Sequence, residues 1–214
     1  DTNINLDNNS EVSKAWTKVI GTTGHESAQA LTTGSDGSIY IAGYTNGGLD
    51  GQSNSGSYNA FLSKYNSHGN LDWTKLLGTN GSESAQALTT GNDGSIYIAG
   101  YTGGDLDGQI NSGAYDSFLS KYDSHGNLDW TQLLGTNEHE ATYALTTGSD
   151  GSIYIAGSTW GDLDGQENTG DLDAYLSKYD PDGTKEWTQL LGTTSEDKAY
   201  ALTTGGDGSI YIAG

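Results

Sequence analysis

The chain has 214 residues, 33% of them apolar, with 33 Gly, fourteen Tyr, five Trp and no Cys or Met. Twenty-eight Asp and Glu face eight Lys and no Arg, a formal charge of −20 at pH 7. This balance excludes a basic stripe for nucleic acid and a disulfide framework, and no apolar run reaches the length of a membrane span.

The composition is nonetheless that of a folded chain, because aromatic and β-branched residues recur at fixed places. The string LTTGxDGSIYIAG begins at Leu31, Leu88, Leu145 and Leu202, 57 residues apart each time. Trp16, Trp73, Trp130 and Trp187 keep the same spacing. A period of this size marks a chain built from stacked supersecondary units. Near-identical units repeat their chemistry, whereas a catalytic centre needs different residues converging on one point. The reading is therefore non-enzymatic.

Within the unit from Ser84 to Thr136, SAQALTT alternates small and larger residues and stops at Asp93-Gly94, which reads as a two-residue hairpin turn. SIYIAGYT follows, with Ile96 and Ile98 on one face and Tyr97 and Ala99 on the other. After the long polar stretch 102–115 come SFLSKYD, the turn SHGN and LDWTQLLG, both segments again of period two. Four short strands per unit predict an all-β fold, a β-propeller of four-stranded antiparallel blades. Shorter rungs would be needed for a parallel β-helix. Counting back one period, residues 3–8 and 15–21 read as the third and fourth strands of a blade whose first two strands lie within 199–214. Residues 1–214 then form one domain of four blades with a composite closing blade (1–21 plus 199–214), 14 residues short of four full units. The same phase would arise in an excerpt from a longer array, and a chain opening on Asp1 rather than Met is expected to be processed or excerpted.

The run DGSIYIAGYT, a Gly/Asp-rich loop, YDSFLSKYD, a DG or HG turn and LDWTQLLGT resembles the bacterial SBBP-type β-propeller repeat over nearly the whole chain. That resemblance implies a propeller, a secreted or cell-surface location in bacteria, and no catalytic residues.

The long loops 44–59, 101–116 and 158–173 all open on one end of the sheets. Each carries GxLDGQ, around Asp50, Asp107 and Asp164, and two add Asp105 and Asp162 two residues earlier. With Asp116 and Asp173 eleven residues further on, side-chain oxygens stand at alternating positions, as Ca²⁺ would want them. The alternative is that Asp, Asn and Gly are there to make turns. Trp160 breaks the repeat, replacing Asn46 and Gly103. An indole among Asp, Asn and Gln reads as a sugar-stacking platform or a protein anchor, or else as packing on its own loop. His25, His68, His125 and His139 are single loop histidines expected to be solvated. The function expected is an extracellular or cell-surface binding or structural module stabilised by Ca²⁺, with a carbohydrate-binding propeller as the alternative. The partner, protein or glycan, is expected on the face of the long loops, with neither nucleic acid nor membrane insertion.

Overall fold

The computed structural model describes residues 17–214. The strand expected at 3–8 and Trp16 lie outside them. Of the strand expected at 15–21, residues 17–21 are described and have no strand conformation.

The alternation produces three antiparallel sheets of sequential order. The first holds β1 (Glu26–Thr33), β2 (Ile39–Thr45), β3 (Asn59–Tyr65) and β4 (Leu71–Leu77). The second holds β5 (Glu83–Thr90), β6 (Ile96–Thr102), β7 (Asp116–Tyr122) and β8 (Leu128–Leu134). The third holds β9 (Glu140–Thr147), β10 (Ile153–Thr159), β11 (Asp173–Tyr179) and β12 (Lys185–Leu191). A fourth sheet contains β13 (Ala201–Thr204) and β14 (Ile210–Ala213). Each sheet stacks on the next in a propeller-like succession, β5 against β1–β3 and β9 against β5–β7. Among the described residues no substantial packing joins the fourth sheet to β1.

The core lies between sheets, so the two faces of one strand serve two different cores. Ile96 and Ile98 enter the first with Phe118 and Tyr40, while Tyr97 and Ala99 enter the second with Ile153, Ile155 and Tyr175. Burying each large side chain stabilises the stack by about 1.5–3 kcal/mol. Tyr175 also stitches two sheets together, its hydroxyl meeting Ser117 Oγ at 2.7 Å and Thr142 Oγ1 at 2.6 Å.

Two backbone devices shape every unit. The register slips between Ala28 and Ala30 and between Ala85 and Ala87, leaving Gln29 and Gln86 as bulge residues, and Tyr143 stands at the same place in β9. Opposite lie Gly43, Gly100 and Gly157, where a Cβ would collide with the carbonyls of Ser27, Ser84 and Ala141. The Asp93-Gly94 turn is longer than the expected two residues. Gly91 N–H donates to Ser95 O (2.8 Å), and only Gly94 takes positive φ (82°). This is a three-residue connection with a left-handed glycine, capped where Asp93 Oδ1 accepts from Ser95 N (3.0 Å).

Candidate ligand-binding face

At the end of the sheets carrying the long loops, the motif GxLDGQ folds as a tight turn. Leu106 and Gln109 bridge each other (3.0 and 2.9 Å), and Asp107 (φ 50°) and Gly108 (φ 78°) are both left-handed. Asp50 (51°) and Asp164 (52°) repeat this conformation, which Gly adopts freely and which Asp tolerates because its short polar side chain can hydrogen-bond locally. The tips then turn outward over the last strand of their own sheet. Gln52 Nε2 donates to the Thr74 carbonyl and Leu76 N–H donates to Gln52 Oε1 (3.2 Å). Gln166 does the same with the Thr188 carbonyl (2.5 Å) and Leu190 N–H (3.1 Å). Thr74 Oγ1 donates to Asp50, and Lys185 pairs with Asp164.

The remaining acidic candidates hold the loop base. Asp105 and Asp162 accept from the N–H groups of Asn111 and Asn168 (2.9 Å each). Asp116 and Asp173 are buried; their Oδ2 atoms accept from Ser112 N and Oγ and from Thr169 N and Oγ1 (2.9–3.1 Å). Their Oδ1 atoms are buried without a hydrogen-bond partner. In the first unit Asn59 takes this place, and with its amide oriented so that the nitrogen meets the neighbouring acceptors it donates to Asn54 Oδ1 (3.2 Å) and Tyr58 O (3.3 Å). Among the described residues no three or more His, Cys, Asp or Glu side chains are grouped to hold a metal ion.

What the face does assemble is aromatic. Tyr101 and Tyr115 meet edge to face (5.3 Å, 85°), Tyr115 meets His139 (5.4 Å), and His139 meets Trp160 (6.0 Å). With Glu140, Tyr143 and Ser158 they line a cleft of about 290 Å³ between the second and third sheets. Trp160 is 55% exposed. The bulge in β9 supplies Tyr143, in keeping with the habit of bulges to re-aim a side chain. A second cleft of about 330 Å³ lies between the first and second sheets, lined by Tyr44, Tyr58, Ser82, Glu83 and Ser84. The two clefts share Tyr101 and Tyr115 as a wall. Burial raises the pKa of the Tyr101 hydroxyl, and the neighbouring hydroxyls of Tyr115, Tyr44 and Tyr143 push it the same way, so it stays protonated.

Each cleft floor carries a buried Glu held by a Thr four residues earlier. Glu140 accepts from Thr136 N (2.6 Å), Thr136 Oγ1 (2.8 Å) and Thr159 Oγ1 (2.7 Å). Glu83 accepts from Thr79 N (2.8 Å), Thr79 Oγ1 (2.6 Å) and Thr102 Oγ1 (3.1 Å). Burial raises the pKa of Glu140, and the charge of Asp116 adds to that rise against these hydrogen bonds. A carboxyl whose pKa is raised by folding stabilises the fold fully below its unfolded pKa and loses that contribution as pH rises. Denaturant titrations of the parent and of Glu140→Gln should therefore show the parent losing ground to the variant as pH rises above the ordinary glutamate range. A stability difference independent of pH would contradict this.

Trp160 was singled out by its break in the repeat. Tyr101, Tyr115, Tyr143 and Glu140 carry no comparable mark in the sequence analysis above. The available signals were the change from Gln29 and Gln86 to Tyr143 and the recurrent Thr-x-x-x-Glu at 22–26, 79–83 and 136–140.

No family model matches the chain. It is 32% identical over 201 residues to the regulatory protein FlaEY of Caulobacter vibrioides, covering 84% of this chain and 21% of that protein. It is 20% identical over 181 residues to an uncharacterised WD repeat-containing protein, L264, of Acanthamoeba polyphaga mimivirus (66% of this chain, 13% of the relative). The chain thus spans a small fraction of the length of the relatives it matches. Among solved structures, a Bacteroides caccae protein of unknown function superimposes with a TM-score of 0.49 at 9% identity, over 88% of this chain and 53% of that one.

Proposed function

We propose that this chain is a non-enzymatic binding module of the β-propeller kind, working on the surface of a bacterial cell or outside it. The observation that carries this reading is the continuous aromatic row Tyr101–Tyr115–His139–Trp160 along one open cleft. Aromatic side chains left half exposed in a concave site are the usual anchors of recognition. The likeness to a protein named for regulation fits a role exercised through binding. A glycan-binding role is the second reading, favoured by the exposed indole of Trp160. The test is to screen the chain against glycan and peptide arrays, then repeat each hit with Trp160→Ala and Tyr115→Ala. Hits lost in these variants while melting is unchanged support the reading; hits that all survive them place binding elsewhere and overturn it.

The finer architecture is the SBBP-type propeller closed at four blades. Its support is the contrast between Tyr211, 58% exposed, and its counterparts Tyr40, Tyr97 and Tyr154, all buried. Leu31 is likewise 65% exposed on β1. A completed fourth blade, with outer strands from residues 1–21, would cover both.

Calcium enters through Asp116 and Asp173, whose orphaned buried oxygens stand where Asn59 presents an amide donor. In calcium-free buffer Asp116→Asn is expected to stabilise the fold by about 1 kcal/mol, because the amide satisfies what the carboxylate leaves unpaired. Melting curves with CaCl₂ against NaCl at matched ionic strength decide the rest. A calcium-specific rise in the parent that Asp116→Asn and Asp173→Asn remove supports a cation at these oxygens. Identical curves in the two salts leave the loop aspartates as turn and cap residues only.

A further inference from the structure

The clefts of this face are, we propose, receptors for organic cations: the ammonium or guanidinium side chains of a basic peptide, one side chain entering each aromatic cleft. This rests on the binding-face reading above and assigns it a ligand class.

Three observations point to it. The walls are tyrosine rings, electron-rich on their faces, set at steep angles, Tyr101 against Tyr115 at 85° and Tyr44 against Tyr58 at 88°. A cation held over the face of such a ring is attracted by its quadrupole, and the attraction grows as water is excluded. The second observation is charge. Among the described residues no Lys lines either cleft, the chain has no Arg, and each floor carries a Glu. Lys198, within electrostatic reach of Tyr143 and Tyr200, is paired with Glu196 at 3.3 Å. The whole chain carries −20, a field that draws cationic ligands and repels anionic ones. The third is that the chain already makes this contact internally. Lys64, Lys121 and Lys178 each lie over a tyrosine ring (Tyr40, Tyr97 and Tyr154) at 5.8, 5.8 and 6.0 Å.

A neutral sugar fits the same walls less well. Its hydroxyls need open hydrogen-bonding partners, and the Glu140 and Glu83 carboxylates are already engaged by their threonines. A cation needs only the field of those carboxylates and the rings. Because the clefts share the Tyr101–Tyr115 wall, a peptide carrying two basic residues engages both.

The test uses a lysine–glycine peptide with four lysines, its Nε-trimethylated form and its Nε-acetylated form, titrated calorimetrically into the full chain. Two variants restore residues from the other repeats and so preserve the fold: Trp160→Gly, as at Gly103, and Tyr143→Gln, as at Gln86. The expected result is binding of the lysine and trimethyl-lysine peptides, little or none of the acetylated one, and at least tenfold weakening in both variants. Trimethylation removes every N–H donor and keeps the charge, so retained affinity identifies the rings as the partners. Equal binding of the acetylated peptide overturns the proposal. So does binding that is unchanged in both variants, which would be diffuse attraction to an acidic surface. Neutral oligosaccharides binding in a Trp160-dependent way, with the cationic peptides silent, would overturn the ligand class and leave the binding face standing. If neither class shows Trp160-dependent binding, the face itself fails.

Discussion

Gly100→Ala is expected to destabilise the chain by about 3 kcal/mol or more, enough to lose the cooperative unfolding of the second sheet and its neighbours. The bulge at Gln86 brings the Ser84 carbonyl over Gly100 so closely that a Cβ cannot be placed without moving backbone. Overpacking a side chain into a rigid core costs about 1–3 kcal/mol, and here the obstacle is main chain rather than a rotatable group. Both strands would have to part, and with them the faces bearing Ile96, Ile98, Tyr97 and Ala99. Gly94→Ala is the control, since nothing lies within reach of its Cβ and only its φ of 82° opposes substitution; it should cost about 1 kcal/mol. Chemical denaturation of the two variants measures both. Equal small losses would show that the bulge relaxes freely.

Removing residues 1–21 should lower the melting temperature by about 10 °C or more and promote self-association, if these residues complete the fourth sheet. Tyr211 and Leu31 together would lose several kcal/mol of burial, and each kcal/mol moves the midpoint of a chain this size by about 2–4 °C. An unpaired β14 edge would also be offered to other molecules. Scanning calorimetry and sedimentation of the truncated chain decide it. A truncated chain that melts like the parent and stays monomeric would show that the fourth sheet draws no support from this segment.

The strands themselves were readable because side-chain alternation is a local property. Ile96 and Ile98 were assigned to one face and Tyr97 and Ala99 to the other, and each pair enters its own intersheet core. Turn geometry is less legible in the sequence than the strands are. The sequence predicts a two-residue turn at Asp93-Gly94, yet the chain reserves two consecutive left-handed residues for Asp107-Gly108 and its equivalents in the loops. There, the Asp of each loop motif takes the positive φ that the turn requires, at the position where the sequence shows alternating side-chain oxygens. The aromatic cleft was hidden for a different reason. Tyr101, Tyr115, His139 and Trp160 come from two sheets, and nothing in a periodic sequence states how one sheet sits on the next. Tyr143 joins them through a bulge, which periodicity does not register.

The glutamines at the loop tips have a consequence for how such a chain can lengthen. Gln52 and Gln166 cover part of the last strand of their own sheet from within the same unit. Sheets therefore meet one another through faces and not through strand edges. A copied unit brings its own cover with it, so duplication adds an intersheet core without adding a raw edge. Selection against sticky intermediates would then act weakly on copy number, and nearly identical neighbours could persist side by side, as the four LTTGxDGSIYIAG strings do.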